Sequence, residues 1–372
     1  MFVSDSRQAY RLALEEASAL DQSGQECYRA TSARFSRSED DTSYRRPWVD
    51  ERNLAADGTR PRWPHDAPFA VCLTHDVDQV AWHQPQMHWK RLRNHFLPGL
   101  IGTDRRATRG LRSAAVEFGR SLTRQANLDP LGCYERWLEI EQHVGARSTF
   151  LFLPDQPERS HYSDGTYRYT DRIQFDSRAC TVAEMMREIH QRGWEVGLHA
   201  SWHACHRLRE MKRQKEQVER AIDAPVISVR HHYLHFDIRH TPRVQEQAGF
   251  LVDSSLGFND DVGFRHGTSY PYRLWDGMAE EPLKLLELPL TIQDKCLLRL
   301  VANDSREDAL ETATILADRV AAVGGMLTLL WHPCTIRNEV YFNLYRDLLL
   351  LLKRRNAWFG TMAEVAHWWS RK

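Results

Sequence analysis

From Phe69 to Lys353 the chain alternates short apolar runs with longer amphipathic segments, and this rhythm restricts the fold more than any other feature. The apolar runs, Phe69–Leu73, Thr149–Leu153, Trp194–Leu198, Val226–Val229, Phe250–Val252, Leu285–Leu290 and Met326–Trp331, have the length of buried strands. Between them Leu131–Val144, Thr181–Arg192, His206–Ile222, Thr241–Ala248, Ser305–Val323 and Val340–Lys353 have helical length and pattern. Gly193, Gly249 and the Gly324–Gly325 pair stand where helices hand over to strands, as helix C-terminal glycines do. Strands and helices taking turns predict a parallel sheet, doubly wound or closed into a barrel.

The 372 residues, 42% hydrophobic and 27% charged, suit one large α/β domain with appendages. Residues 1–66 read as an N-terminal helix, Asp5 to Leu20, followed by an irregular proline- and tryptophan-bearing arm. Residues 80–130 interrupt the rhythm as a basic helical insertion, in which nine Lys or Arg between Lys90 and Arg124 face only Asp104 and Glu117. That surface is either an ordinary solvated face or a contact for phosphates or lipid head groups, that is, a peripheral partner surface. Lys plus Arg balance Asp plus Glu at 50 each, so no overall field favours nucleic acid. Seven cysteines without a CxxC pair argue for reduced thiols. The polar N-terminus carries no secretory signal pattern, and the longest leucine run, Leu348–Leu352, is too short for a transmembrane span; the expected location is the cytoplasm.

Several apolar runs end in residues that ligate metals or move protons, and active sites of α/β folds gather at strand carboxyl ends. The first ends in His75-Asp76-Val77-Asp78, where two carboxylates can share a metal and a water or act as caps. The third ends in His199, and His203 follows four residues later, a spacing that across a helical turn brings both imidazoles to one ion. The fourth ends in Arg230-His231-His232-Tyr233, with Arg230 suited to a carboxylate partner or to a plain salt bridge. Asp253 ends the fifth, as a cap or as the orienter of a histidine, and His332 ends the last, as a proton donor or a core histidine. Arg265, in the loop after the fifth run, is a candidate for binding an anionic part of a substrate, and Glu287 a candidate rim residue. Together these strand ends predict a metal-hydrolase site.

In this order the residues resemble the motifs of the polysaccharide deacetylases, the NodB-homology carbohydrate esterases, over residues 68 to 362. Thr74-His75-Asp76-Val77-Asp78 stands for the first motif, His199 and His203 for the second, Arg230 to Tyr233 for the third, Asp253 for the fourth and Leu330-Trp331-His332 for the fifth. The resemblance implies an α/β fold, a distorted (β/α)7-type barrel over 67–372, and one divalent metal, most often Zn2+. It implies Asp76 as general base, Asp78, His199 and His203 as metal ligands, and His332 as general acid. Arg230 would tether the base, Asp253 would orient His332, and Tyr233 and His232 would face the substrate. Asp-Val-Asp replaces the family's adjacent aspartates, His232 its usual proline, and the fourth motif lacks its tryptophan, so the chain reads as a divergent branch.

The function implied is metal-dependent removal of an N-acetyl group from an amino sugar or an activated glycan precursor. A deformylase or other amide hydrolase on the same fold is one alternative, and a catalytically inactive carbohydrate-binding or scaffold protein another.

Overall fold

The computed structural model describes residues 11–12, 43–80, 134–155, 164, 167–300 and 305–371. The helix expected over Asp5–Leu20 falls outside them except for residues 11–12, and the basic insertion falls outside them except for its first residue. In chain order the elements begin with helix α1 (Trp48–Asp57), strand β1 (Ala70–Val77), α2 (Tyr134–Val144), β2 (Thr149–Phe152), the hairpin β3 (Arg172–Phe175) and β4 (Arg178–Thr181), and α3 (Val182–Gln191). β5 (Glu195–Ala200), α4 (Leu208–Ile222), β6 (Ser228–His231), α5 (Thr241–Gln247) and β7 (Val252–Asp253) follow. The chain then forms β8 (Tyr272–Asp276), β9 (Glu281–Glu287), β10 (Leu290–Gln293), α6 (Asp294–Arg299), α7 (Arg306–Val323), β11 (Met326–Trp331), α8 (Glu339–Arg354), β12 (Trp358–Gly360) and α9 (Met362–Trp369).

The strands other than the β3–β4 hairpin form a curled sheet in the order β10-β11-β1-β2-β5-β6-β7-β9-β8, with β12 beside β1. Every pairing is parallel except β8 with β9. This is the expected barrel-type α/β architecture. The apolar run Leu285–Leu290 is two strands, because Pro289 offers no N–H to a ladder and divides β9 from β10. No helix among the described residues is long and apolar enough to cross a membrane. The five cysteines among them are free thiols.

β1 is buried along all eight residues and lies inside the sheet between β11 and β2. Strand alternation turns Thr74 and Asp76 to one face and His75 to the other, where it meets the helices. There His75 Nε2 lies 2.7 Å from Glu141 Oε1 of α2, and its Nδ1 lies 3.0 Å from the Trp331 carbonyl oxygen. Trp194 Nε1 and Tyr345 Oη donate to the same Glu141 carboxylate at 2.6 and 2.8 Å. One fully buried carboxylate thus joins β1, α2, α8 and the approach to β5.

The N-terminal arm packs against the loop after β7. Asp50 of α1 accepts from Thr268 Oγ1, Ser269 N and Ser269 Oγ, and burial pushes its carboxyl up to about 6. Val49 N donates to the Gly267 carbonyl. Gly267 has φ +70°, and a Cβ there would sit 2.3 Å from the Trp48 indole, so no larger residue fits under the arm.

Replacing Glu141 by Leu leaves several buried donors without an acceptor and is expected to cost about 3–5 kcal/mol in equilibrium urea unfolding; a loss below about 1 kcal/mol would contradict the hub role.

Candidate active site

Asp76, Asp78, His199, His232, Tyr233, Leu234, Asn259, Gln293, Lys295, Arg299 and His332 line one cavity of about 380 Å³ at the carboxyl ends of the strands. Asp76 comes from the end of β1, and Arg230, which never reaches solvent, comes from β6. Arg230 Nη1 donates to Asp76 Oδ1 at 2.9 Å and to Thr74 Oγ1 at 2.8 Å, while Nε and Nη2 donate to the carbonyl and hydroxyl oxygens of Ser254. The expected tether between Arg230 and Asp76 is therefore present in the geometry. Burial raises the Asp76 carboxyl, but the neighbouring His199, Arg230 and His332 charges outweigh it and hold the group below the usual aspartate value.

Three ligand atoms converge beside this pair, one each from Asp78, His199 and His232, all within 4.8 Å of one another. His199 Nε2 and His232 Nε2 lie 3.4 and 3.6 Å from Asp78 Oδ1. His199 Nδ1 lies 3.0 Å from the Arg230 carbonyl oxygen, which can only accept, so Nδ1 carries the hydrogen and Nε2 presents its lone pair to the cavity. His232 Nδ1 faces Asp164 Oδ1 at 3.1 Å, which fixes its ring in the same sense. Outer carbonyl and carboxylate partners of this kind orient metal-binding imidazoles. Asp78 Oδ1 is buried without a hydrogen-bond partner, so the donor set fits a cation and has an open demand for one.

The structure brings His232, and not His203, together with Asp78 and His199 in this candidate group. His199 lies in strand β5 and His203 in a separate 3-10 segment, Trp202–His206, so the four-residue spacing does not span one helical turn. His232, expected to face substrate, takes the third place. In a second cluster among the described residues, His206, Asp237 and His240, the Asp237 carboxylate already accepts from Arg239 N, Arg239 Nε and His240 Nδ1 in the turn that leads into α5.

His332 follows β11 directly and its Nε2 lies 3.7 Å from Asp78 Oδ2. The carboxylate that contacts its Nδ1 in the structure is that of Asp294, whereas Asp253 makes its contacts elsewhere. His332 Nδ1 lies 2.8 Å from Asp294 Oδ1, and His332 N donates to Asp294 Oδ2 at 2.9 Å. The sheet order explains the difference, since β10, which delivers Asp294, pairs with β11. β7, which carries Asp253, instead lies beside β6 and β9. Burial raises the Asp294 carboxyl, but His332 outweighs it and holds the group ionised. An acidic residue closing the Leu290–Gln293 run was the available sequence signal for Asp294, the same signal that marked Asp76.

Asp253 accepts from Gln245 Nε2, Ser255 Oγ and Ser255 N and lies against Glu287. Glu287 is fully buried and not a rim residue. Burial, followed by the Asp253 charge, pushes its carboxyl well above the usual glutamate range. Arg265 donates to the Gly257 carbonyl at 2.9 Å and is not among the residues that line this cavity. Tyr233 lines the cavity with 53% exposure and a left-handed φ of +58°, and Asn259 Nδ2 holds its carbonyl at 2.8 Å.

The fold prefers neutral Glu287, so its contribution to stability is full below the ordinary glutamate range, near ~4.3, and is lost as pH rises through the raised value. Glu287→Gln keeps a neutral donor towards Asp253 and is expected to flatten that decline in urea midpoint with rising pH. Equal slopes in the two proteins would refute it.

Neither protein-family models nor curated protein sequences match this chain. Solved structures do. A Mycobacterium smegmatis protein assigned as a polysaccharide deacetylase superposes with a TM-score of 0.53 at 18% identity, over 83% of this chain and 92% of its own. Puue allantoinase gives 0.53 at 13% identity, over 86% and 96%. A Pseudomonas aeruginosa PAO1 protein, also assigned as a polysaccharide deacetylase, gives 0.51 at 14% identity, over 86% and 96%. With the strand order and strand-end residues described above, these likenesses give the chain the NodB-homology polysaccharide deacetylase fold.

Proposed function

We propose that the protein is a metal-dependent amide hydrolase that removes an N-acetyl group from an amino sugar. The observation carrying this reading is the arrangement of two polar pairs, Asp76 with Arg230 and His332 with Asp294, beside the Asp78, His199 and His232 cluster in one cavity. The chemistry a divalent cation supplies there is Lewis acidity, which polarises an acyl oxygen and makes water nucleophilic near neutral pH. Asp78, His199 and His232 would hold such an ion, a donor set of two imidazoles and one carboxylate that suits zinc.

The chain's own groups divide the proton work. Asp76, held ionised by Arg230, accepts the proton of the attacking water. His332, held by Asp294 through Nδ1, turns Nε2 to the cavity and gives a proton to the leaving nitrogen. The products are acetate and a free amine. Tyr233 and Asn259 at the mouth supply an aromatic face and a fixed loop edge for a sugar ring. The allantoinase likeness keeps a related reading open, hydrolysis of a formamide or cyclic ureide by the same groups, and the assay separates the two by whether acetate or formate is released or a ureide ring opens.

Elemental analysis is expected to find one zinc or similar ion per chain in the wild type and in His203→Ala, and little in His232→Ala. The reverse result for the two variants would restore His203 as the ligand. Asp76→Asn is expected to keep the metal and lose about 10²–10⁴-fold in acetate release, the usual weight of general-base catalysis. Undiminished release would remove Asp76 from that role.

A further inference from the structure

The acidic groups of the cavity already have partners. Asp76 is matched by Arg230, Asp294 by His332, and Asp78 by the two imidazoles and the cation they fit. Two cations in the lining are left over, and both come from α6. Lys295 and Arg299 stand four residues apart on this helix, so they share one side of it, and both line the cavity. Lys295 reaches no nearer than 4.0 Å to an acid, Asp78 Oδ2, and its side chain is 38% exposed. Arg299 is exposed and has no ion pair or hydrogen bond among the described residues. Once Asp78 is committed to a cation, no other acid among the described residues forms an ion pair with Lys295 or Arg299, and the α6 side of the mouth carries positive charge.

We propose that this α6 face is an anion subsite, and that the substrate is an acetamido sugar carrying a phosphate or carboxylate on the side that faces Lys295 and Arg299. This rests on the amide-hydrolase reading of the cavity for the sugar, but the charge argument stands without it. Arg299 offers a planar fork suited to paired contacts with phosphate or carboxylate oxygens, and Lys295 a point charge closer to the metal ligands. The subsite also assigns a use to the adjacency of Asp294 and Lys295, since the residue that orients His332 opens the helix that would hold the anion. A substrate seated on α6 is thereby brought into register with the proton donor.

The test measures acetate release by the metal-loaded protein from N-acetylglucosamine, N-acetylglucosamine 1-phosphate and N-acetylmuramic acid, at low and at physiological salt. The anionic sugars are expected to exceed the neutral one in kcat/KM, with the advantage shrinking as salt rises. Arg299→Gln and Lys295→Gln should each reduce the ratio of anionic to neutral rates on the order of tenfold, and Arg299→Lys should restore part of it. The phosphate and carboxylate arms say which anion the subsite takes. Equal rates for neutral and anionic sugars, with ratios unmoved in both variants, would overturn the proposal. If no sugar releases acetate, the amide-hydrolase reading fails, and calorimetric binding of the same sugars decides the subsite separately. Binding of an anionic sugar but not of N-acetylglucosamine, weakened in Arg299→Gln, upholds it; equal binding, or none, overturns it.

Discussion

The guanidinium of Arg230 has no exposure to solvent, and a buried cation of that size is tolerable only when its charge and its N–H groups are answered. Asp76 answers the charge, and Thr74 and Ser254 take the remaining hydrogen bonds. Thr74 and Ser254 in turn donate to the carbonyls of Leu329 and Leu288. Meeting the needs of one side chain therefore ties β1, β6, the turn after β7, the end of β9 and β11 into a fixed relation. The position of the Asp76 carboxylate is a consequence of that packing, which gives the site its rigidity before any ligand arrives.

The alternation of apolar runs and amphipathic helices made the architecture legible, because parallel strands buried on both faces must be continuous in hydrophobicity. Strands of other character were not legible. The β3–β4 hairpin, β8 and β12 are short or partly exposed, and their burial patterns are broken by half-buried and open positions. In the site, Asp76, Asp78, His199, Arg230 and His332 could be read from their places at strand ends. Expectation and geometry part where chain spacing stood for spatial neighbourhood. His203 sits close to His199 in sequence, yet a strand end and a 3-10 segment separate their directions, while His232 arrives from the next strand of the sheet. Asp253 and Asp294 are both acids at strand ends, and only the pairing of β10 with β11 decides which of them meets His332.

The N-terminal arm adds a support that its composition did not reveal. Tyr44 and Arg45 reach Asp261, and Asp50 clasps Thr268 and Ser269, so the arm fastens at two points the loop that carries Asn259 and Arg265. Asn259 then holds the backbone of Tyr233. The mouth of the cavity is thus shaped in part from a segment that contributes no residue to its lining.

The place of β1 in the sheet has a consequence for how the chain acquires its shape. Ala70 pairs with Met326 on one edge and with Trp358 on the other, so the strand bearing Asp76 is flanked over its first half by segments from the far end of the sequence. During synthesis from the ribosome both edges of that half remain open until residues 326–331 and 358–360 have emerged. Contacts of such long sequence separation slow folding and leave unpaired strand edges exposed in the meantime. The half of β1 that leads into Asp76 is therefore made long before the strands that flank it, so the sheet around the site closes late relative to the synthesis of its own carboxylate.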